Sequence, residues 1–168
     1  MLLHASPDLT IYHITLSPGL QYPPHNHLMD ALIGIYKGSE TNFIYPVDGS
    51  EIDAPERHDV AAPAVVHMNP DTVHAVANTG SARSGALHVY LGNLTETHRH
   101  MWSPDSTHAE PFDNERYLAG ARPIRPGSGK GGRKVSVLRG GVNEHSASLR
   151  PDNGRRVLSR FKNIAARL

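Results

Sequence analysis

The chain reads as an all-β protein, a sandwich or a barrel, on three observations. Short apolar runs recur through its first 92 residues, each closed by Gly, Pro or Asp. Within the runs side chains alternate with period 2, the pattern of half-buried strands. No cysteine is present in the 168 residues, so neither disulfides nor zinc–thiolate sites are available and a core must do the work. The length suits one domain with a core of its own and room for a tail.

The elements follow in order. Leu9–Ser17 alternates, and Pro18-Gly19 turns the chain into a histidine-bearing stretch that runs on as Ala31–Tyr36. After a Gly-Ser turn comes Thr41–Val47, which Asp48-Gly49 turns again. Val60–Met68 is apolar and partly β-branched, Val73–Ala77 is short, and Gly85–Leu91 closes the set. Such short strands between turn residues indicate an all-β sandwich or barrel. Glu110–Leu118 is the segment with helical character in this half. At the far end Val157, Phe161, Ile164 and Leu168 fall at helical spacing between Arg and Lys, predicting a basic amphipathic helix over 155–168.

Charge divides the chain. Residues 1–118 carry 14 Asp/Glu against 5 Lys/Arg, a net of −9, whereas residues 119–168 carry 12 Lys/Arg against 2 Asp/Glu, a net of +10. With the linker-like PGSGKGGRK run, this sets an expected boundary near Gly120, giving an acidic globular part, 1–119, and a basic, loosely structured tail, 120–168. A basic tail can meet nucleic acid or an anionic surface. Phe161 is its sole aromatic residue, which leaves little for base stacking. The opening MLLHASPD does not resemble a signal peptide and no apolar run reaches membrane-span length, so a soluble cytoplasmic protein is expected.

Chemistry concentrates in the histidines. His25 and His27 stand at i and i+2, which on a strand puts both imidazoles on one face. Two imidazoles on one face can share an ion, and His74, on the short strand Val73–Ala77, can supply a third donor. With 12 histidines in the chain, roughly one H-x-H arises by chance, and the chain contains a second, His98-Arg99-His100, in a polar frame that reads as surface. What sets the first pair apart is its apolar frame between Gly19 and Gly38. Asp30 is offset from His27 so that it faces the opposite side. His67 reads as structural, and His4, His13, His58, His108 and His145 as surface or turn residues.

Gly19, His25, His27 and Gly38 fall where the first cupin motif, G-x5-H-x-H-x3-E-x6-G, places them, and His74 with Asn78 fits the H-x3-N that ends the second. The chain resembles the cupin superfamily over roughly residues 10–92, which implies a double-stranded β-helix, or jelly-roll barrel. Two departures stand out. Ala31 occupies the Glu position, removing the usual fourth ligand, and Pro63 and Asn69-Pro70-Asp71 replace the second motif's leading Gly and P-x-G. Among cupins a three-histidine site resembles the thiol dioxygenases, of the cysteine dioxygenase kind, which also carry S-x-H-x-Y; here Ala86, His88 and Tyr90 retain its His and Tyr.

That resemblance implies Fe(II) held by His25, His27 and His74, each with its other ring nitrogen bonded to an acceptor, and a small thiol oxidised by O2 to a sulfinate. Tyr90, oriented by His88, would hydrogen-bond toward the pocket. Three neutral ligands leave a divalent ion its full charge and favour an anionic partner. Cysteine-specific relatives hold the substrate carboxylate with an Arg upstream of H-x-H, but here no Arg precedes Arg57. That leaves Arg57, Arg83, Arg99, Tyr22 or the main chain. Zn, Mn or Ni would suit a non-redox isomerase or hydrolase, and a non-catalytic ligand-binding cupin is the third class. Exposed sheet edges would admit a homodimer.

Overall fold

In a computed structural model of the protein, residues 1–124 and the backbone of residues 130–131 are described. The expected helix over 155–168, and with it most of the basic segment, lies outside the described residues. The chain runs β1 (Leu2–Ala5), β2 (Thr10–Leu16), β3 (Leu20–Gln21), β4 (His25–Asn26), β5 (Ala31–Lys37), β6 (Ser39–Tyr45), β7 (Val47–Asp48) and β8 (Glu51–Ile52). It continues through β9 (Glu56–Ala61), β10 (Ala64–Met68), β11 (Val73–Ala77), β12 (Ser84–Tyr90), β13 (His100–Trp102), β14 (Ala109–Pro111), α1 (Asn114–Ala119), β15 (Arg122–Pro123) and β16 (Lys130–Gly131).

Two sheets face each other. One orders β1-β2-β12-β5-β10, and the other runs β14-β13-β4-β11-β6-β9-β16, with β3 and β15 joined beside β11. Their central strands, β2-β12-β5-β10 against β4-β11-β6-β9, interleave early and late strands in each layer. This is a double-stranded β-helix, or jelly roll. Alternation decides what fills it: from the first sheet Ile33, Ile35, Val66, Met68 and Ala86 turn inward and are at most 2% exposed, while Leu87 faces out at 42%.

The motif glycines sit where a side chain would be strained. Gly19 (φ 76°) and Gly38 (φ 72°) adopt left-handed backbone conformations, which glycine enters without steric cost. At Gly38 a Cβ would also lie 3.0 Å from the Ser84 Cα. Asn78, the last residue of the second motif, is a fastener rather than a site residue. Its Nδ2 donates to the Leu16 and Ala82 carbonyls at 2.9 Å each, and its Oδ1 accepts from Gly80 N.

Three elements differ from expectation. Val60–Met68 is not one strand: β9 and β10 belong to different sheets, divided at Ala62-Pro63, because Pro63 has no N–H for a ladder. Helix α1 covers only Asn114–Ala119, capped by Asp113 Oδ1 accepting from Arg116 N at 2.8 Å, and Ala109–Pro111 is a strand. The β13–β14 hairpin was not anticipated. It adds to the β4 edge, with Met101 opposite His25.

Candidate metal centre

His74 on β11 lies directly opposite His25 on β4 in the antiparallel register, so their imidazoles leave the sheet side by side. His27 sits just beyond β4, and Leu28, at φ 57°, turns the chain there. The three side chains are buried, and their Nε2 atoms converge: His27 to His25 at 3.3 Å and His27 to His74 at 3.4 Å. Among the described residues this is the group of three or more donors able to hold one ion, all within 4.8 Å.

The back of each ring sets its tautomer. His25 Nδ1 donates to the Pro23 carbonyl at 3.2 Å and His74 Nδ1 to Asn42 Oδ1 at 2.9 Å. Both Nε2 atoms therefore present lone pairs to the common centre. His27 departs from the expectation that each ligand has a second partner, since its buried Nδ1 has none among the described residues. Burial holds all three imidazoles neutral. It pushes His25 down to about 3, reinforced by the Arg99 charge, and drives His27 and His74 well below the usual histidine range, with the other imidazoles adding to the effect.

These residues fit a divalent ion. The three Nε2 atoms lie 3.3–3.4 Å apart along the two contacts that His27 makes. That spacing matches nitrogens about 2.0–2.1 Å from a tetrahedral centre. Ala31, fully buried, stands opposite Tyr90 in the ladder, so the place of the usual carboxylate is apolar. Asp30 is turned away and bonds His67 Nε2 at 2.9 Å.

Across the barrel, His88 and Tyr90 face inward from β12. Tyr90's ring centroid lies 4.9 Å from that of His27, and its Oη is 3.2 Å from His88 Nδ1. His88 Nε2 is buried without a partner among the described residues. An orphaned buried N–H is rarer than an orphaned acceptor, so the proton belongs on Nδ1, donating to Tyr90 Oη and freeing the tyrosine hydroxyl to donate into the cavity. Burial lowers His88 to about 4 and raises Tyr90 above its ordinary value. His88 is therefore neutral and Tyr90 protonated near neutral pH.

The cavity these groups share has a volume of about 370 Å³, and among the described residues no Asp or Glu lines it. Arg99 does. His98 and His100 are exposed as expected, while Arg99 between them, one of the carboxylate-partner candidates, turns inward. Its guanidinium carbon lies 3.3 Å from the Phe112 ring centroid. Of the other carboxylate-partner candidates, Arg57 pairs with Asp59 at 3.0 Å, Arg83 is exposed, and Tyr22 lines the cavity.

The remaining histidines scatter. His13 bonds Tyr36 Oη at 2.7 Å, His108 is exposed, His4 is half-buried and His145 lies outside the described residues. His58 differs from its surface reading: it lies opposite Asn42 on the barrel's inner side, with its Nδ1 buried. Sequence reasoning also missed Asn42, Phe112 and Tyr117. Each matters through a contact made by folding, and none belongs to a motif.

No protein-family model matches the chain. A stretch of 78 residues is 28% identical to auxin-binding protein 1 of Arabidopsis thaliana, 46% of this chain and 39% of that protein. The chain thus spans well under half the length of the curated relative it matches. Among solved structures, a double-stranded β-helix protein from Klebsiella pneumoniae is 14% identical, with TM-score 0.44, over 55% of this chain and 70% of that one. An RmlC-like cupin family protein from Methanocaldococcus jannaschii is 19% identical, with TM-score 0.45, over 56% and 80%. Oxalate decarboxylase of Lactobacillus farciminis is 17% identical, with TM-score 0.44, over 52% and 25%.

Proposed function

We propose that the chain is a cupin enzyme in which His25, His27 and His74 hold a single Fe(II), and that it oxidises a small thiol to a sulfinate. Both atoms of O2 enter the product: RS⁻ + O2 gives RSO2⁻. The observation that carries this reading is the all-neutral donor set, three buried imidazoles converging through Nε2 with Ala31 where a carboxylate would stand. When bound, the ion supplies Lewis acidity that favours a thiolate over a thiol and a redox partner for O2. His88 holds Tyr90 Oη, and the Tyr90 hydroxyl offers its proton as a hydrogen bond to the reacting oxygen. Tyr12, Tyr22, Phe112 and Tyr117 wall the cavity.

Elemental analysis of purified protein tests the site, and an oxygen electrode tests the reaction. Near-stoichiometric iron, lost in His74→Ala, with thiol-dependent O2 uptake supports the reading. An iron-loaded protein that consumes no O2 with any small thiol overturns the reaction. Stoichiometric zinc, manganese or nickel without O2 uptake would point to a non-redox cupin enzyme. A non-catalytic binding cupin has in its favour the likeness to auxin-binding protein 1, and ligand binding with no turnover would replace the enzyme reading by it.

A further inference from the structure

The cavity reaches past the three histidines, and there its walls are apolar. β2 supplies one wall. In the ladder with β12, Tyr12 stands opposite His88 and Ile14 opposite Ala86, so Tyr12 and Ile14 share the inner face of the sheet with those residues. Ala86 is fully buried, whereas Tyr12 and Ile14 keep part of their surface open to the cavity. The Tyr12 ring is held edge-on to Tyr90, with 6.3 Å between centroids.

α1 supplies the facing wall. Asn114, Tyr117 and Leu118, at i, i+3 and i+4, present one side of the helix to the cavity. That side is not packed into a core: α1 contains no buried residue, and Leu118 is 54% exposed at the rim. Tyr117 is nonetheless fixed. Its ring packs edge-on against His25 at 4.9 Å, stacks on Tyr22 at 5.5 Å and lies 5.2 Å from Phe112. A helix normally buries its apolar side, and apolar surface left open along a cavity marks a ligand groove. Size agrees with a ring as the ligand group. A cavity of about 150 Å³ already admits benzene, and this one, at about 370 Å³, has room for such a ring beside a group at the histidines. Rings held in place, as Tyr12 and Tyr117 are, meet another ring edge-on or offset without losing side-chain freedom.

We propose that the space between β2 and α1 is a subsite for an apolar ring, so that the ligand held at the three histidines is an aryl-bearing thiol rather than a wholly polar one. The sulfur end lies at the histidines, and the ring lies between Ile14 and Leu118 against Tyr12 and Tyr117. The thiol end rests on the function proposed above, whereas the ring subsite rests on the two apolar walls.

Anaerobic calorimetry on the iron-loaded full chain tests the subsite without turnover. Two pairs of probes share an anchor and differ by the ring: 2-phenylethanethiol against ethanethiol, and 4-phenylimidazole against imidazole. In each pair the phenyl compound is expected to bind about 10–100-fold tighter, at one site per chain. Leu118→Asp, at the exposed rim, should cut that preference several-fold, and Ile14→Trp, which fills the space, should abolish it. Iron content and the affinity of the smaller probe should stay unchanged in both. Equal binding within both pairs, or a phenyl preference that survives both substitutions, overturns the subsite. Absence of binding by all four probes does so as well. A phenyl preference in the imidazole pair that depends on Ile14, in a protein that neither binds nor oxidises the thiols, keeps the subsite and removes the thiol reading.

Discussion

The two walls of the barrel face the same interior with opposite chemistry. The inner side of β5, β10 and β12 is mainly aliphatic, with Ile33, Ile35, Val66, Met68 and Ala86 packed together. The inner side of β4, β6, β9 and β11 carries His25, Asn42, Glu40, His58 and His74. Burying apolar side chains stabilises the fold, whereas burying imidazole, amide and carboxyl groups costs free energy unless they find partners. One wall therefore mainly holds the structure together, with His88 and Tyr90 set into it on β12, and the other carries the three-histidine group at some expense to stability. Glu40 Oε2, Asn42 Nδ2 and His58 Nδ1, all buried without partners among the described residues, record that expense.

The largest expected effect breaks the polar wall. His74→Ala is expected to lower metal content at least tenfold while circular dichroism stays that of a β protein, because the ion loses one of three donors and the aliphatic wall none of its contacts. Retained metal would show that His74 is not a ligand. The reciprocal change, Ile33→Ala, should cost about 2–5 kcal/mol in denaturant unfolding through the cavity it leaves, with metal per folded chain unchanged. If it instead removes metal and costs little stability, the two walls are not separable.

Glu40 sharpens the contrast through pH. Burial raises its carboxyl to about 7, only partly offset by the hydrogen bond from Ser84 Oγ. Below the ordinary value of 4.5 the group is protonated in both states. Between there and about 7 the unfolded chain releases its proton while the folded chain keeps it, so stability falls as pH rises. The loss should approach about 3 kcal/mol. Glu40→Gln should flatten that part of the stability–pH curve, and an unchanged slope would assign it to another group. The smallest effect belongs to Tyr90→Phe, which removes one hydroxyl and is expected to slow thiol-dependent O2 uptake about tenfold with metal content intact. An unaltered rate would make His88 and Tyr90 a buried structural pair.

Much of the barrel was legible because strand alternation is local. Leu9–Ser17, Ala31–Tyr36 and Gly85–Leu91 each correspond to a strand within a residue or two, and Ala86, His88 and Tyr90 do share the inner face. Pro63 was visible, but its consequence was not: dividing one apolar run between two sheets requires knowing where both sheets lie. The histidines could be grouped because Gly19, Gly38 and the H-x-H spacing mark a backbone path. His98-Arg99-His100 shows the limit: the polar frame marked the two histidines as surface, but nothing local could choose Arg99 over Arg57 or Arg83 as the arginine that lines the cavity.

The sequence by itself determined the all-β class, the strand periodicity and the donors available for an ion, because each depends on neighbours within a few residues. Tertiary structure decided which groups meet. Asn42 reaches His74 only because β6 pairs with β11, His25 faces His74 only in the register of β4 with β11, and Tyr117 reaches His25 only after α1 folds back over the mouth. Those contacts join residues 32, 49 and 92 positions apart, beyond any local pattern, and they follow from burying two sheets against one another.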